Sequence, residues 1–324
     1  MRFLPTAEQR AFAASLDAML TAAGTPSAVR SWAAGDHTAG RALWSRLADA
    51  GVFALAVPES CAGVGPLPVE LAVAFVELGR HAVPGPLVET VLAAALLAGD
   101  PRRPDPAAEL LSALASGRAM ATVGAPYALD GDAADVVLAL RDGEVWRAPG
   151  ARDARPCLDR ARRLTTPLPG GELLLPRTPP AALGWARLAT AAQAIGVGAA
   201  LLDRTVAHVG RRVQFGVPIG SFQAVKHRLA DAKIALEFAR PLLFGAALTM
   251  DAADVAAAKG AACEAAYSTA RTALQLHGAI GYTAECDLSL WLTKARALRT
   301  AWGAPHECRA AVLAAALATD PPHH

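Results

Sequence analysis

The sequence predicts a mostly α-helical protein in which a small β module separates two helical regions. Three observations carry this expectation. Apolar residues recur at helical spacing through the first hundred residues, a central segment reads as short apolar runs around turn residues, and long apolar stripes resume from Leu183.

The N-terminal region, placed at 1–117, reads as the helices "TAEQRAFAASLDAML", "TAGRALWSRLADAGV", "LPVELAVAFVELGRHA" and "PLVETVLAAALLAG". Leu43, Leu47 and Val52 share one face, as do Leu71, Phe75 and Leu78. Thr6 followed by Gln9 predicts a capping box. "VPESCAGVGPLP" reads as an ordered loop, because Pro and Gly punctuate it. After the break "GDPRRPDPAAE", a short helix is expected to end near Gly117.

The middle region, 118–181, changes period. "ADVVLALRDGEVWRAP" holds two apolar runs around Asp142-Gly143, a hairpin turn signal, and "GELLLPRTPP" adds a strand-like piece. The C-terminal region, 182–324, reads as a four-helix bundle. Its first helix, from about Trp185 to Gly210, carries Leu188, Ala191, Ile195, Ala199, Leu202, Val206 and Val209 on one stripe. A second runs from about Phe222 to Met250, with Pro241 a potential kink. A third begins at the caps Asp251 and Asp254 and reaches His277, and a last helix is expected over roughly Leu288 to Ala318.

Composition narrows the function classes. The chain of 324 residues is 53% hydrophobic and 19% charged, which is globular rather than disordered. A net charge of +2 gives no general attraction to nucleic acid or membrane, so anion binding must come from local placement of charge. "MRFLPTAEQRAFAASLDAML" has charges scattered through it and no unbroken apolar run, so no secretory signal is expected. No stretch reaches the roughly eighteen uninterrupted apolar residues of a membrane span. Cys61, Cys157, Cys263, Cys286 and Cys308 form no C-x-x-C pair. Neither a metal site nor a disulfide framework is expected, and a reducing cytoplasmic setting is.

One stretch breaks the alanine-rich monotony. "RRVQFGVPIGSFQAVKHRLAD", residues 211–231, sits between two long helices with four cations, two Phe, two Gln and two Gly. It resembles the flavoprotein signature of the acyl-CoA dehydrogenase family. "LQLHGAIGYTAECDLSLW" resembles that family's Q-x-x-G-G-x-G-Y segment, and "ALAVPESCAGVG" its N-terminal PEEYGGxG loop. The three matches lie in the family's order and span nearly the whole chain.

The resemblance implies an acyl-CoA dehydrogenase fold and an FAD cofactor. It implies Arg212 opposite the FAD pyrophosphate, where a planar guanidinium can bond two oxygens at once. Gln214, Phe215, Phe222 and Gln223 are implied against the ADP half. A lone Arg would be read as a solvated charge without the aromatic and amide residues that follow it. Gln275, Leu276, His277, Gly278 and Ala279 match the segment that runs along adenosine and pyrophosphate, with Ala279 replacing the family's second Gly. These motifs serve a flavin whose ring lies in a neighbouring subunit, so an oligomer is implied.

Departures from the family carry as much weight. Members remove the substrate α-proton with a carboxylate while the flavin takes a β-hydride. Counted from Glu285, the position of that base is Trp302, followed by Gly303 and Ala304. The alternative position, at the start of the first bundle helix, is Ala186. Nearby His306 and Glu307 are assigned to a solvated helix face. The loop that cradles the flavin ring is replaced by "ATVGAPYALDGDAADVV", in a module about half the family's length. No catalytic residue is therefore assigned in this chain.

Such truncated relatives form one half of two-subunit acyl-CoA dehydrogenases. The expectation is a subunit that supplies the ADP half of the FAD site. A full-length partner, in an α2β2 assembly, would supply ring contacts, base and acyl pocket. A homo-oligomer is the other arrangement. By analogy alone, the acyl-CoA would come from fatty acid or steroid side-chain metabolism. Two further readings stand beside this one: a self-sufficient enzyme of atypical mechanism, and a flavin-free structural descendant of the fold.

Overall fold

The structure is a computed structural model that describes residues 5–102, 104–283 and 285–319. The N-terminal region holds α1 (Ala7–Ala22), α2 (Thr25–Ala33), α3 (Thr38–Asp49), α4 (Pro68–Arg80), α5 (Leu87–Ala98) and α6 (Asp105–Ala115). The Thr6 hydroxyl accepts from Gln9 N and the Gln9 side chain accepts from Thr6 N, so the expected capping box opens α1. Helix α2 was not anticipated. Its nine residues include a proline and give the apolar period too few turns to register.

The central strands form two sheets. Strands β1 (Ala121–Gly124), β3 (Val136–Arg141), β4 (Glu144–Ala148) and β7 (Glu172–Leu175) pair in the order β1-β3-β4-β7, with β1 parallel to β3. Strands β2 (Ala128–Leu129), β6 (Arg163–Pro167) and β5 (Ala151–Pro156) form a second sheet. The β3–β4 hairpin turns at Asp142 and Gly143, both at positive φ (51° and 82°), the turn that Asp-Gly favours. Strand β5 lacked an apolar signal because its side chains are largely exposed, Arg152 and Arg155 among them.

The C-terminal region is built on α7 (Ala182–Arg211), α8 (Gln223–Thr249) and α9 (Ala252–His277). Helix α7 is long and apolar enough to cross a membrane by length and composition, yet 83% of its apolar window is buried inside the structure. It packs against α4, α5, α8 and α9, which explains apolar residues around most of its circumference. Contact with α4 is close because both sides are glycine. A Cβ on Gly196 would lie 1.9 Å from Val76 O, and one on Gly79 would lie 2.1 Å from Gln193 O. Helix α8 runs continuously through Pro241.

The single last helix expected from 288 to 318 is instead two, α10 (Leu288–Leu298) and α11 (Pro305–Thr319). Apolar periodicity continues across the break, but the backbone does not. Trp302 adopts φ 56° and Gly303 φ 141°, and Pro305 restarts the helix at its first position. The buried Lys259 ammonium of α9 donates to the carbonyls of Leu298, Arg299 and Gly303 at 2.8–3.2 Å. It thereby satisfies groups that a continuous helix would have bonded internally.

Candidate functional site

The two flavoprotein-like motifs meet at one end of the bundle, where α7 and α9 end and α8 begins. The chain leaves α7 at Arg212 and forms a short hairpin, β8 (Val213–Gln214) with β9 (Val217–Pro218). Phe215 (φ 53°) and Gly216 (φ 79°) make its turn. A bulky residue in the left-handed region is strained, and Phe215 is also 92% exposed. Phe222 lies edge-on to it with ring centroids 6.2 Å apart, and Gln223 opens α8 at the surface. The Arg212 side chain is exposed and makes no hydrogen bond or ion pair among the described residues. Gln214 turns back to its neighbour, donating from Nε2 to Val213 O at 2.9 Å.

The second motif closes α9. Gln275 accepts a hydrogen bond from Arg228 of α8, which ties the ends of those helices together. Leu276 and His277 are half-buried, Gly278 ends the helix at φ 66°, and Ala279 is exposed in the turn that follows. His277 stacks on His208 of α7, with ring centroids 4.1 Å apart and planes 21° apart. The Arg228–Gln275 bond joins the two motifs directly, and the stack adds His208, just before the first motif. His208 and Arg228 were missed in the sequence, where each is only one more basic residue near a helix end.

About the second locus, the position expected for a catalytic base, the structure is specific. Trp302 sits in the turn between α10 and α11, and its indole N–H donates to Glu89 Oε1 at 3.0 Å. Arg187 Nε donates to Trp302 O at 3.1 Å, fixing the same residue through its backbone. Glu89 is buried in the first turn of α5, and its Oε2 has no hydrogen-bond partner among the described residues. Arg162 approaches Glu89 at 3.9 Å, and Lys294 lies 3.5 Å from the buried Asp159. A buried polar cluster thus forms where the two helical regions and the β module meet. Glu89 was overlooked although it is the lone charge in "PLVETVLAAALLA", a usable signal. Glu307, assigned to a solvated face, also holds the backbone in place. Its Oε2 accepts from Ala304 N at 2.6 Å and caps α11.

The family profile "Acyl-CoA dehydrogenase, N-terminal domain" matches residues 6–102, and "Acyl-CoA dehydrogenase, C-terminal domain" matches residues 179–317. The chain is 34% identical over 310 residues to the acyl-CoA dehydrogenase IpdE2 of Mycobacterium tuberculosis, covering 94% of this chain and 95% of that protein. This chain belongs to the acyl-CoA dehydrogenase family. IpdE2 of Mycolicibacterium smegmatis is 36% identical, over 82% of this family member and 85% of the relative. Among solved structures, a chain of the ChsE4-ChsE5 complex of Mycobacterium tuberculosis superposes with a TM-score of 0.83 at 26% identity. That alignment covers 99% of this acyl-CoA dehydrogenase relative and all of the other chain.

The bundle end fits one half of a dinucleotide. It offers at Arg212 a guanidinium without a counter-ion among the described residues, exposed aromatic faces at Phe215 and Phe222, and a turn at Gly278 and Ala279 that lets a ligand approach the backbone. The Trp302 locus does not fit proton abstraction by the residue in that position, because an indole N–H only donates.

Proposed function

We propose that this chain is a subunit of a two-subunit, FAD-dependent acyl-CoA dehydrogenase, which introduces an α,β double bond into an acyl-CoA thioester. Its own share is the ADP half of the FAD site. Arg212 binds the pyrophosphate; Gln214, Phe215, Phe222 and Gln223 bracket the nucleotide; residues 275–279 supply the close backbone approach. The flavin, when bound, accepts the β-hydride. The α-proton leaves to a carboxylate of the partner, which also provides contacts to the flavin ring and the acyl pocket.

The observation that supports this reading is that Trp302, where the motif count expects a base, is held by Glu89 at its ring and by Arg187 at its carbonyl. A partner is further supported by apolar surface left open. Ile234, Phe238 and Leu242 form a stripe along α8, 46–75% exposed, at the same helix whose first residues carry the FAD motif. Contiguous exposed apolar side chains of this kind mark interaction surfaces. The ChsE4-ChsE5 relative is itself a complex of two proteins. Purifying the chain alone and co-expressed with a full-length family member encoded beside it tests the proposal. A 1:1 complex that carries flavin absorbance is expected. A stable, flavin-loaded and active preparation of the single chain would refute it.

One observation favours a second reading, a self-sufficient enzyme. Glu89 is a buried carboxylate whose Oε2 makes no hydrogen bond among the described residues, and displacement of the Trp302 ring would expose it as a base. Loss of turnover in Glu89→Gln of the chain alone would establish that alternative.

A further inference from the structure

We propose that the His208–His277 imidazole stack makes the bundle-end anion site proton-linked, so that a pyrophosphate diester held by Arg212 binds together with a proton. This rests on the ADP-half reading above and adds a role for His208, outside both motifs.

The geometry comes first. His208 lies in the last turn of α7 and His277 is the last residue of α9, and the rings overlap at 4.1 Å. His277 Nδ1 lies 2.9 Å from Ala273 O. A carbonyl only accepts, so the neutral ring carries its proton on Nδ1 and keeps a lone pair on Nε2. The charges facing His208 are those of His277 on α9 and of Arg212 and Arg211 at its own helix end, all positive when ionised. From α8, Arg228 bonds Gln275 two residues before His277.

In this setting neither ring readily holds a second proton. Burial pushes the His208 imidazolium below its usual range, and the like charge of His277, Arg212 and Arg211 pushes it further. Burial also lowers His277, against the opposing bond to Ala273 O. A bound pyrophosphate reverses the sign of the local field. An opposite charge within about 4–6 Å raises a basic group by on the order of 1–3 pH units. The ligand-bound pair would then take up a proton near neutrality. Affinity rises as pH falls, by up to about tenfold per pH unit between the free and bound values.

ADP-ribose is the suitable probe. Both of its phosphates are diesters, whereas a terminal phosphate monoester titrates near pH 6 and would obscure the protein's proton. Ring-proton NMR of the full-length chain, with and without ADP-ribose, should show His208 or His277 titrating higher in the complex. Calorimetry in buffers of different ionisation heat should count net proton uptake at pH 6.5, with affinity falling several-fold from pH 6 to pH 8. In His208→Phe/His277→Phe, which keeps two stacked rings, uptake should vanish and affinity should be flat with pH. Binding of ADP-ribose without proton uptake, or uptake that persists in the double variant, overturns this inference and leaves the ADP-half reading intact. Absence of ADP-ribose binding at both pH 6 and pH 8 overturns both. Should the double variant not fold, the wild-type NMR titration still decides the matter.

Discussion

Trp302 and Glu89 stand 213 positions apart in the chain and share a hydrogen bond of 3.0 Å at the junction of the helical regions. At the position where the family resemblance implies a carboxylate, this protein places an indole N–H that donates to the buried Glu89. That bond has measurable consequences.

The bond should matter for stability. Trp302→Phe keeps a ring but removes the N–H, leaving both oxygens of a buried carboxylate without a hydrogen bond. A loss of about 1–3 kcal/mol is expected in urea unfolding. Adding Glu89→Leu should recover part of it, because the unsatisfied carboxylate is then gone. Unchanged stability in Trp302→Phe would show that the bond contributes little.

Catalysis by the single chain should be negligible. With FAD, a dye acceptor and a panel of acyl-CoAs, the purified protein is expected to lack the roughly 10²–10⁴-fold contribution of a general base. Trp302→Glu should not restore it, since on the two-subunit proposal the contacts to the flavin ring belong to the partner. In a reconstituted complex, His306→Gln and Glu307→Gln should keep activity within a few-fold, the latter because Glu307 caps α11. Robust turnover by the single chain that disappears in Glu307→Gln would place the base here after all.

Flavin retention should depend on Arg212. The guanidinium is exposed in this chain, and on the ADP-half proposal the ligand would desolvate it. Arg212→Ala should therefore weaken flavin or ADP-ribose binding by about 1.5–3 kcal/mol, the range for charged hydrogen bonds. Lys should substitute poorly, having no planar fork. Full flavin occupancy in the Ala variant would remove Arg212 from the site.

Lys259 should be critical to the turn that presents Trp302. Lys259→Met preserves length and apolar packing but removes the charged donor to Leu298, Arg299 and Gly303 O, leaving Leu298 and Gly303 only the weak thiol donors Cys263 and Cys308. A loss of about 1–3 kcal/mol follows from the one carbonyl, that of Arg299, left without a side-chain donor, read as a lower thermal midpoint.

Stability should also fall with rising pH through Asp130. Burial raises this carboxyl from its usual 3.8 to about 7, against stabilisation by Arg163 N, Arg162, Arg163 and Trp32. Between those values the folded protein holds a proton that the unfolded chain has lost, so unfolding is favoured as pH increases through the window. Asp130→Asn keeps an acceptor for one of Trp32 Nε1 and Arg163 N, which bond different oxygens of Asp130, carries no titrating proton, and suits the positive φ of 49°. Compared with wild type, it should flatten the stability profile from pH 4 to 7. Parallel profiles for the two proteins would rule Asp130 out.

Local rules made much of this protein legible. Thr6 and Gln9 announced a capping box, Asp142-Gly143 a hairpin, the stripes of α7 and α8 two long helices and the cap Asp251 the start of α9, because each signal lies within a few residues of its effect. The family membership was legible too, through short segments rich in Arg, Gln, Phe and Gly.

By itself, then, the sequence determined the helical periods, the turn chemistry, the two motifs and the lack of a carboxylate at position 302. Only the tertiary structure decided what those residues face. It split the last helix at Gly303, where the turn's carbonyls find their donor in Lys259. It stacked His208 on His277 and brought Glu89 to Trp302. Hydrogen bonds and ring contacts act over a few ångströms in space, so a partner 69 or 213 residues away leaves no periodic trace in the chain.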